Sequence, residues 1–304
     1  MKPLDDHEFG GQHTEIKLEL VEKYLKAYTN ALRNKFSNLW YIDAFAGTGS
    51  RTIRIRAQDG DLFEDPVPER IESRRGSAKI ALDVLPQFDR LIFIEQKPSH
   101  CVALEALKAD HPSRDIHVLN ENANTTIQTN IHRVNWSSCR AIMFLDPYGM
   151  EVEWQTLEAI AKTKAIDVWF LFPLSGLYRQ AARNISAVDE TKRRALTKML
   201  GTDEWEKELY SPVPPLVDLL GVLETPDDRQ RNADVAGLEK YVKRRLETIF
   251  PLVAEPFPLP PQKKPQRFSL FFAASNPSPK ALDLANKFAS HILKTGISSH
   301  VLPR

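Results

Sequence analysis

Tyr41-Ile-Asp-Ala-Phe-Ala-Gly-Thr-Gly49 and Ile142-Met-Phe-Leu-Asp-Pro-Tyr-Gly149 are the two stretches that decide the fold of this 304-residue chain. Each is an apolar run that ends in an acid and a turn containing glycine. A short apolar run bounded by glycine or proline indicates a buried parallel strand, and a glycine-rich turn after it lets the backbone approach a ligand. The two segments therefore predict two strands whose following turns face a bound molecule.

The composition is that of an enzyme-sized globular chain. Hydrophobic residues make up 42% and charged residues 27%, so a large core can form, either in one domain with an insertion or in two domains. No apolar stretch approaches the roughly eighteen residues that span a membrane, and residues 1–7 lack the apolar core of a secretion signal. We therefore expect a cytoplasmic protein that does not enter a membrane.

The charges and the cysteines limit the classes of function. There are 41 basic and 40 acidic residues, so the net charge of +1 does not indicate nucleic-acid binding, and such binding would need a local patch. Cys101 and Cys139 are too few for a disulfide scaffold or a zinc site, and we expect both to be small buried hydrophobes. The sequence predicts no metal site.

The hydrophobic pattern predicts an α/β protein. An amphipathic helix is expected over residues 14–35, with Thr14 as its N-cap. Strands are expected at 39–45, 90–95, 115–119, 141–145 and 167–172, with helices between them. This alternation is typical of a doubly wound, mostly parallel sheet, in which right-handed crossovers bring the carboxyl ends of the strands to one edge.

Two regions depart from that alternation. Residues 50–75 carry six arginines and six acids without clear periodicity, and they predict a solvated loop or a β-excursion beside the first turn. Residues 177–250 are mostly helical in pattern, with predicted helices at 178–200, 203–209 and 234–250. Residues 253–260 and 267–275 predict an antiparallel hairpin that closes the sheet. We therefore expect an α/β domain over 1–176 and 233–304, with a helical insertion at 177–232.

Polar residues that follow the predicted strands are the candidate ligand-binding residues. Gly47 and Gly49 would let backbone N–H groups face a carboxylate, and Asp43 could accept a hydrogen bond from an ammonium or instead cap the turn. Glu95 could accept two ribose hydroxyls, or it could be a solvent-facing strand end. The predicted cofactor-binding set is Asp43, Phe45, Gly47, Gly49, Glu95, Asn120 and Asn122, although the two asparagines could equally form an Asx-turn.

The Asp146-Pro-Tyr-Gly149 turn supplies the candidate catalytic residues Asp146, Pro147 and Tyr148. It is related to the Asp-Pro-Pro-Tyr motif of amino-methylating enzymes, but it has one proline and its tyrosine comes one position earlier. In such a site the aspartate orients the acceptor amine and the aromatic ring stacks on a planar acceptor. The turn therefore predicts amine methylation.

Three other groups of residues invite a functional interpretation. His13 and Lys17 stand near the start of the first helix and could face the same edge of the sheet, although a histidine there is more often a surface residue. The basic runs 192–194 and 243–245 could touch phosphate. Solvated helix faces are the more common explanation of such runs.

The chain resembles the bacterial three-Cys-motif partner proteins, TcmP. The matching segments are His13-Thr14 with Lys17, Asp43-Ala-Phe-Ala-Gly-Thr-Gly49, Gly76-Ser77-Ala78, Ile94-Glu95, Phe144-Leu-Asp-Pro-Tyr-Gly149 and Phe271-Phe-Ala-Ala-Ser-Asn276. The resemblance implies a Rossmann-like class I fold of the S-adenosylmethionine (SAM) methyltransferases. It also implies, as a partner, a protein with the three-cysteine motif of radical-SAM enzymes.

The sequence leaves three functions open. The first is a SAM-dependent methyltransferase, acting on an amino group of a nucleic acid or of another planar substrate. The second is a non-catalytic module that keeps the fold and docks its partner through the helical region after Leu177. The third is an NAD-dependent oxidoreductase, which the missing third glycine of G-x-G-x-x-G argues against, because residue 52 is threonine.

Overall fold

A computed structural model describes residues 12–55, 70–213, 217–218, 221–222, 229–261 and 266–300. Its contacts divide the chain into two compact units. The first unit contains residues 1–123 and 138–144, and the second contains residues 124–137 and 145–304. The domain limits at 176 and 233 were predicted from the change of sequence pattern. The division by contacts does not test them, and they stay a prediction.

In its described residues, the first unit has three helices and six strands. The helices are α1 (Gln12–Leu32), α2 (Ser77–Asp83) and α3 (Pro98–Ala109). The strands are β1 (Asn38–Asp43), β2 (Ser50–Ile55), β3 (Arg70–Arg75), β4 (Arg90–Ile94), β5 (Ile116–Leu119) and β6 (Cys139–Leu145).

Four strands of the first unit form a parallel sheet in the order β6-β1-β4-β5. Asp43 lies opposite both Phe93 and Phe144 in the register, and Ile94 lies opposite Leu119. The strands therefore end at the same edge, as the sequence predicts. Their near-continuous apolar runs reflect burial on both faces, which is typical of parallel strands.

Helix α1 covers part of this core with a continuous apolar face. Leu20, Val21, Tyr24 and Leu25 are each at most 1% exposed. Each such side chain contributes roughly 1.5–3 kcal/mol by leaving water. The helix begins at Gln12, so Thr14 lies inside it and is not the N-cap, and it ends at Leu32, three residues before the predicted end.

The β2–β3 hairpin accounts for the arginine-containing stretch after the first glycine turn. Residues 50–55 pair antiparallel with residues 70–75, which confirms the β-excursion for these residues, while 56–69 lie outside the described part of the chain. Arg74 forms an ion pair with Glu15 of α1. Arg75 pairs with Glu22 and with Asp83 at 3.1 Å each. These ion pairs join the hairpin to α1 and α2.

The second unit contains the remaining elements. Its helices are α4 (Ala123–Asn130), α5 (Trp154–Lys162), α6 (Leu174–Gln180), α7 (Glu190–Leu200), α8 (Trp205–Leu209), α9 (Val235–Glu247) and α10 (Pro279–His300). Its strands are β7 (Ile166–Phe172), β8 (Tyr210–Pro212), β9 (Val217–Asp218), β10 (Gly221–Val222), β11 (Arg229–Arg231), β12 (Leu252–Val253), β13 (Phe257–Leu259) and β14 (Phe268–Ala274).

Strand β14 is the centre of the antiparallel part of the sheet. It pairs antiparallel with β7 over residues 269–274 and with the short strands β12 and β13. The predicted C-terminal hairpin is therefore present, with its first arm divided into two strands. The predicted α/β class, with a mostly parallel sheet and an antiparallel C-terminal part, is confirmed.

The helix predicted over 178–200 is instead two helices with a break. Helix α6 ends at Gln180, and α7 begins after Asp189, whose carboxylate accepts a hydrogen bond from Lys192 N at 2.9 Å. The break falls where Asp189 caps α7, because an N-cap aspartate satisfies a backbone donor at a helix start. Among the described helices, none is both long and apolar enough to cross a lipid bilayer.

Candidate functional site

The acid at the end of β4 joins two chain segments in the first unit. Glu95 Oε2 accepts a hydrogen bond from Gly47 N at 2.9 Å, and its Oε1 accepts one from Lys97 N at 2.8 Å. Glu95 is 5% exposed, so it is not the solvent-facing strand end that was the alternative. The carboxylate is thus held at the edge of the sheet by backbone donors on both sides.

The turn after β1 has the sharp geometry expected of its glycines. Gly47 and Gly49 adopt φ values of +60° and +73°, which disfavour residues with a side chain. Ala46 N donates to Ile94 O at 3.1 Å, so the turn runs across the end of β4. A side-chain carbon on Gly49 would also lie 3.1 Å from Leu107 Cδ2.

Asp43 is a buried residue that stabilises this turn by accepting hydrogen bonds. It is fully buried, and it accepts hydrogen bonds from Tyr41 Oη at 3.2 Å and from Phe45 N at 3.4 Å. The bond from Phe45 N is the turn-capping role that was the alternative for Asp43. A direct contact of Asp43 with a cofactor stays a prediction.

The two predicted asparagines lie at the same edge and differ in their contacts. Asn120 Nδ2 donates to Glu95 O and to Gln96 O, at 3.0 Å each, and so ties the end of β5 to the end of β4. Asn122 Nδ2 donates to Gln96 Oε1 at 3.4 Å. Gln96, which the sequence analysis missed, therefore belongs to the same polar group. Gln96 directly follows Glu95 in the sequence, and this position could have indicated that it belongs to the site.

His100 is a second residue that the sequence analysis missed. Its Nδ1 is buried, lies 3.6 Å from Glu95 Oε1 and has no hydrogen-bond partner within the described residues. Such an unpaired buried nitrogen costs about 1–3 kcal/mol. The neighbouring Cys101 Sγ donates to Glu95 O at 3.2 Å, and burial raises the pKa of this thiol. Pro98 begins α3 close after Glu95, so the first turn of α3 returns towards the carboxylate.

Lys17 is buried in α1, at 6% exposure. Its Nζ lies 5.9 Å from the ring centroid of Phe144, the β6 residue opposite Asp43. The predicted position of Lys17 near the carboxyl ends of the strands is therefore observed. The side chain of His13 lies outside the described part of the structure.

The Asp146-Pro-Tyr-Gly149 turn follows β6 and begins the second unit's main segment. Asp146 is half-buried, Pro147 is buried and Tyr148 is 64% exposed. A side-chain carbon on Gly149 would meet nothing within 4 Å, and this residue does not have the positive φ of Gly47 and Gly49. Glycine is therefore not required at position 149 by packing or by backbone conformation.

The chain beyond this turn is anchored by Asn124. Its Nδ2 donates to Glu151 O at 2.8 Å, and its Oδ1 accepts from Glu153 N at 3.0 Å and from Thr156 Oγ1 at 2.7 Å. Asn124 is 5% exposed. A buried network in which every polar group is satisfied holds its backbone in one conformation. The network fixes the segment between Gly149 and α5.

The two basic runs are held largely by local carboxylates. In the run 192–194 the ion pairs are Lys192 with Asp189, Arg193 with Glu206 and Arg194 with Glu190. In the run 243–245 they are Lys243 with Glu247 and Glu255, and Arg244 with Glu208. These pairs agree with the solvated helix faces expected of such runs.

Comparisons with known proteins find weak structural similarity. No family model and no curated protein sequence matches the chain. The Legionella pneumophila protein LPL1258 is 15% identical, with 95% of each chain covered and a TM-score of 0.47. An S-adenosylmethionine-dependent methyltransferase from Clostridium acetobutylicum is 9% identical, covering 86% of this chain and 91% of its own, with a TM-score of 0.37.

A third solved structure is the plantazolicin methyltransferase BpumL in complex with SAH. It is 8% identical, covers 86% of this chain and 85% of its own, and has a TM-score of 0.32. All three scores are low.

Proposed function

We propose that this chain is a SAM-dependent methyltransferase that acts on an amino group of a planar substrate. The observation that carries the proposal is the hydrogen bond of 2.9 Å from Gly47 N to Glu95 Oε2. It brings a glycine turn and a strand-end carboxylate together, which is the pairing that a nucleoside cofactor needs.

The chemistry of these residues fits SAM. The cofactor carries hydroxyl and ammonium donors, and when bound it supplies an electrophilic methyl group. A carboxylate offers roughly four acceptor positions, and Glu95 uses two of them for backbone donors, so capacity remains for ribose hydroxyls. Phe45, Gly47 and Gly49 would line the loop beside the cofactor, Asp43 would support that loop, and Gln96, Asn120 and Asn122 would face its base.

The acceptor would be held by the turn after β6. Asp146 would accept a hydrogen bond from the acceptor amine and so orient the nitrogen lone pair for methyl transfer. Pro147 would keep the turn rigid, and the exposed ring of Tyr148 would stack on the planar acceptor. The amine would lose its proton to Asp146 or to water as the methyl group is transferred.

Isothermal titration calorimetry with S-adenosylhomocysteine tests the cofactor site. We expect the wild-type protein to bind it, and we expect Glu95→Gln to bind at least about tenfold more weakly, because one charged acceptor is lost. Glu105→Gln is the matched control, since this glutamate is exposed on α3 and pairs with Lys108 at 3.5 Å. Absence of binding by the wild-type protein would contradict the proposal.

A docking module for a radical-SAM-like protein with a three-cysteine motif is the second candidate. It is supported by the 64% exposure of Tyr148 and the open space at Gly149, which leave an aromatic ring accessible to a protein partner. Co-purification of the two proteins, followed by a methyl-transfer assay with labelled SAM on the complex, separates the candidates. Label on a substrate would exclude a purely structural role.

A further inference from the structure

A surface of the second unit combines an exposed aromatic ring with arginines for which the described part of the chain supplies no carboxylate partner. It consists of Tyr178, Arg179, Arg183 and Arg231, and we call it the arginine–tyrosine surface. Tyr178 and Arg179 belong to α6, Arg183 follows that helix, and Arg231 ends β11. The two basic runs of the sequence lie elsewhere in the chain, so this surface is assembled by the fold.

The guanidinium of Arg231 is stacked and fixed. Its Cζ lies 4.2 Å from the centroid of the Tyr178 ring, and the ring is 43% exposed. The backbone N of Arg231 donates to Arg183 O at 2.7 Å, and Arg231 Nη1 donates to Ala233 O. A guanidinium held over a ring in this way forms a preorganised cation–π pair that a further planar group can contact.

The charge of the surface is available to a ligand. Arg179 and Arg183 are exposed, and within the described part of the chain neither side chain has an ion-pair partner. The basic residues of α7 differ, because Lys192, Arg193 and Arg194 each have a carboxylate within 4.0 Å. The arginine–tyrosine surface is therefore a local positive patch on a chain whose net charge is only +1.

We propose that this surface binds single-stranded nucleic acid. Bases stack on aromatic rings and on arginine planes, and arginines donate hydrogen bonds to phosphate oxygens. The pair of Tyr178 and Arg231 would therefore stack on a base, while Arg179 and Arg183 would bind the phosphate backbone. An acidic protein segment would form ion pairs with the arginines but would not stack on the pair of Tyr178 and Arg231. The proposal goes beyond the proposed methyl transfer and does not depend on it.

Fluorescence anisotropy with a labelled single-stranded oligonucleotide tests the proposal. We expect salt-sensitive binding by the wild-type protein, and binding at least about tenfold weaker for the double variant Arg179→Gln, Arg183→Gln. The slope of log affinity against log salt should fall by about 1.4, since each phosphate contact on a single strand contributes about 0.7. Tyr178→Ser should weaken binding about tenfold with little change of slope, because it removes stacking rather than charge.

The double variant Lys192→Gln, Arg194→Gln is the matched control, with the same change of charge on α7. We expect it to bind the oligonucleotide within about twofold of the wild type. Far-UV circular dichroism on each variant checks that the fold is kept. The proposal is overturned if the wild type does not bind at low salt, or if the control weakens binding as much as the surface variant does. It is equally overturned if a poly-glutamate peptide of the same charge competes as well as the unlabelled oligonucleotide.

Discussion

Glu95 is the residue on which the candidate cofactor site depends. Its two carboxylate oxygens accept from Gly47 N and Lys97 N, and its backbone N donates to Leu119 O at 3.0 Å. Three strand ends are therefore joined through one residue. Backbone donors position a carboxylate without the entropy cost of ordering further side chains, so the acceptor is preorganised for a ligand.

His100 is expected to orient this carboxylate. Its unpaired Nδ1 lies 3.6 Å from Glu95 Oε1, and a small movement of the ring would form the hydrogen bond. We predict that His100→Leu weakens binding of S-adenosylhomocysteine about tenfold, because leucine removes the donor that can reach the charged Glu95 carboxylate. His100→Asn, which keeps a donor near the Nδ1 position, should restore affinity to within about threefold of the wild type.

Nuclear magnetic resonance separates this role from simple packing. The ¹⁵N shifts of the imidazole should report a proton on Nδ1 in the free protein, because a carboxylate is its nearest partner. If wild-type protein binds the ligand but His100→Leu binds it equally well, the positioning role is wrong while the methyltransferase proposal stands. If the wild type does not bind, the methyltransferase proposal is wrong.

The strand-end acids were predictable and their partners were not. Asp43 and Glu95 follow apolar runs, and parallel strands bring such residues to one edge whatever the details of packing. The contacts of His100 and Gln96 arise because α3 starts at Pro98 and folds back, which no local pattern encodes. The turn-capping role of Asp43 was one of two alternatives that the sequence offered, and only the structure shows its burial and its bond from Phe45 N.

Among the elements, the start of α2 and the glycine turn must approach each other closely. Gly76 N donates to Gly49 O at 3.0 Å, and a side-chain carbon on Gly76 would lie 2.8 Å from that same oxygen. We predict that Gly76→Ala lowers the free energy of unfolding by about 1–3 kcal/mol, because the backbone must shift to relieve the contact. Chemical denaturation measures the change.

Gly149→Ala is the matched control for this substitution. Position 149 has room for a side chain and no positive φ, so alanine there should leave stability unchanged or raise it by up to about 1 kcal/mol. Equal destabilisation by the two substitutions would show that the close approach of Gly76 to Gly49 is not responsible.

The strands were easier to predict than the excursion and the helical region. Two-sided burial gives parallel strands an unmistakable apolar run, as in Cys139–Leu145. The β2–β3 hairpin is polar at most positions, so it has no alternating apolar pattern, and its ion pairs with α1 and α2 join residues that are distant in the sequence. The break between α6 and α7 follows from the Asp189 cap, which competes with a continuous helical pattern over 178–200.

At the scale of the whole molecule, three buried groups predict sensitivity to alkali. Burial raises the pKa of Cys139 from 9.0 to about 12, and that of Tyr210 and Tyr241 from 10.0 to about 12. Because the folded state holds these protons more tightly than the unfolded chain, their contribution to stability is complete below pH 9.0 and is lost as the pH rises towards about 12. Urea denaturation at a series of alkaline pH values should show the free energy of unfolding decreasing over this range.

Phenylalanine substitutions at Tyr241 and Tyr210 test whether these tyrosines cause the loss of stability at alkaline pH. Tyr241 Oη has no hydrogen-bond partner in the described part of the chain, so Tyr241→Phe should be nearly neutral at pH 7 and reduce the alkaline loss. Tyr210 Oη donates to Ala182 O at 2.6 Å, so Tyr210→Phe should also reduce the alkaline loss but cost about 1 kcal/mol at pH 7. An unchanged pH dependence in both variants would contradict burial as the cause.

The hydrogen bond between Gly76 N and Gly49 O has a consequence for how this chain can vary. It places the departure and the return of residues 50–75 at neighbouring points, 3.0 Å apart. An excursion whose two ends meet can be lengthened, shortened or exchanged at small entropic cost without displacing the scaffold that carries it. Insertions or deletions between residues 50 and 75 should therefore be tolerated better than changes of length within the parallel strands.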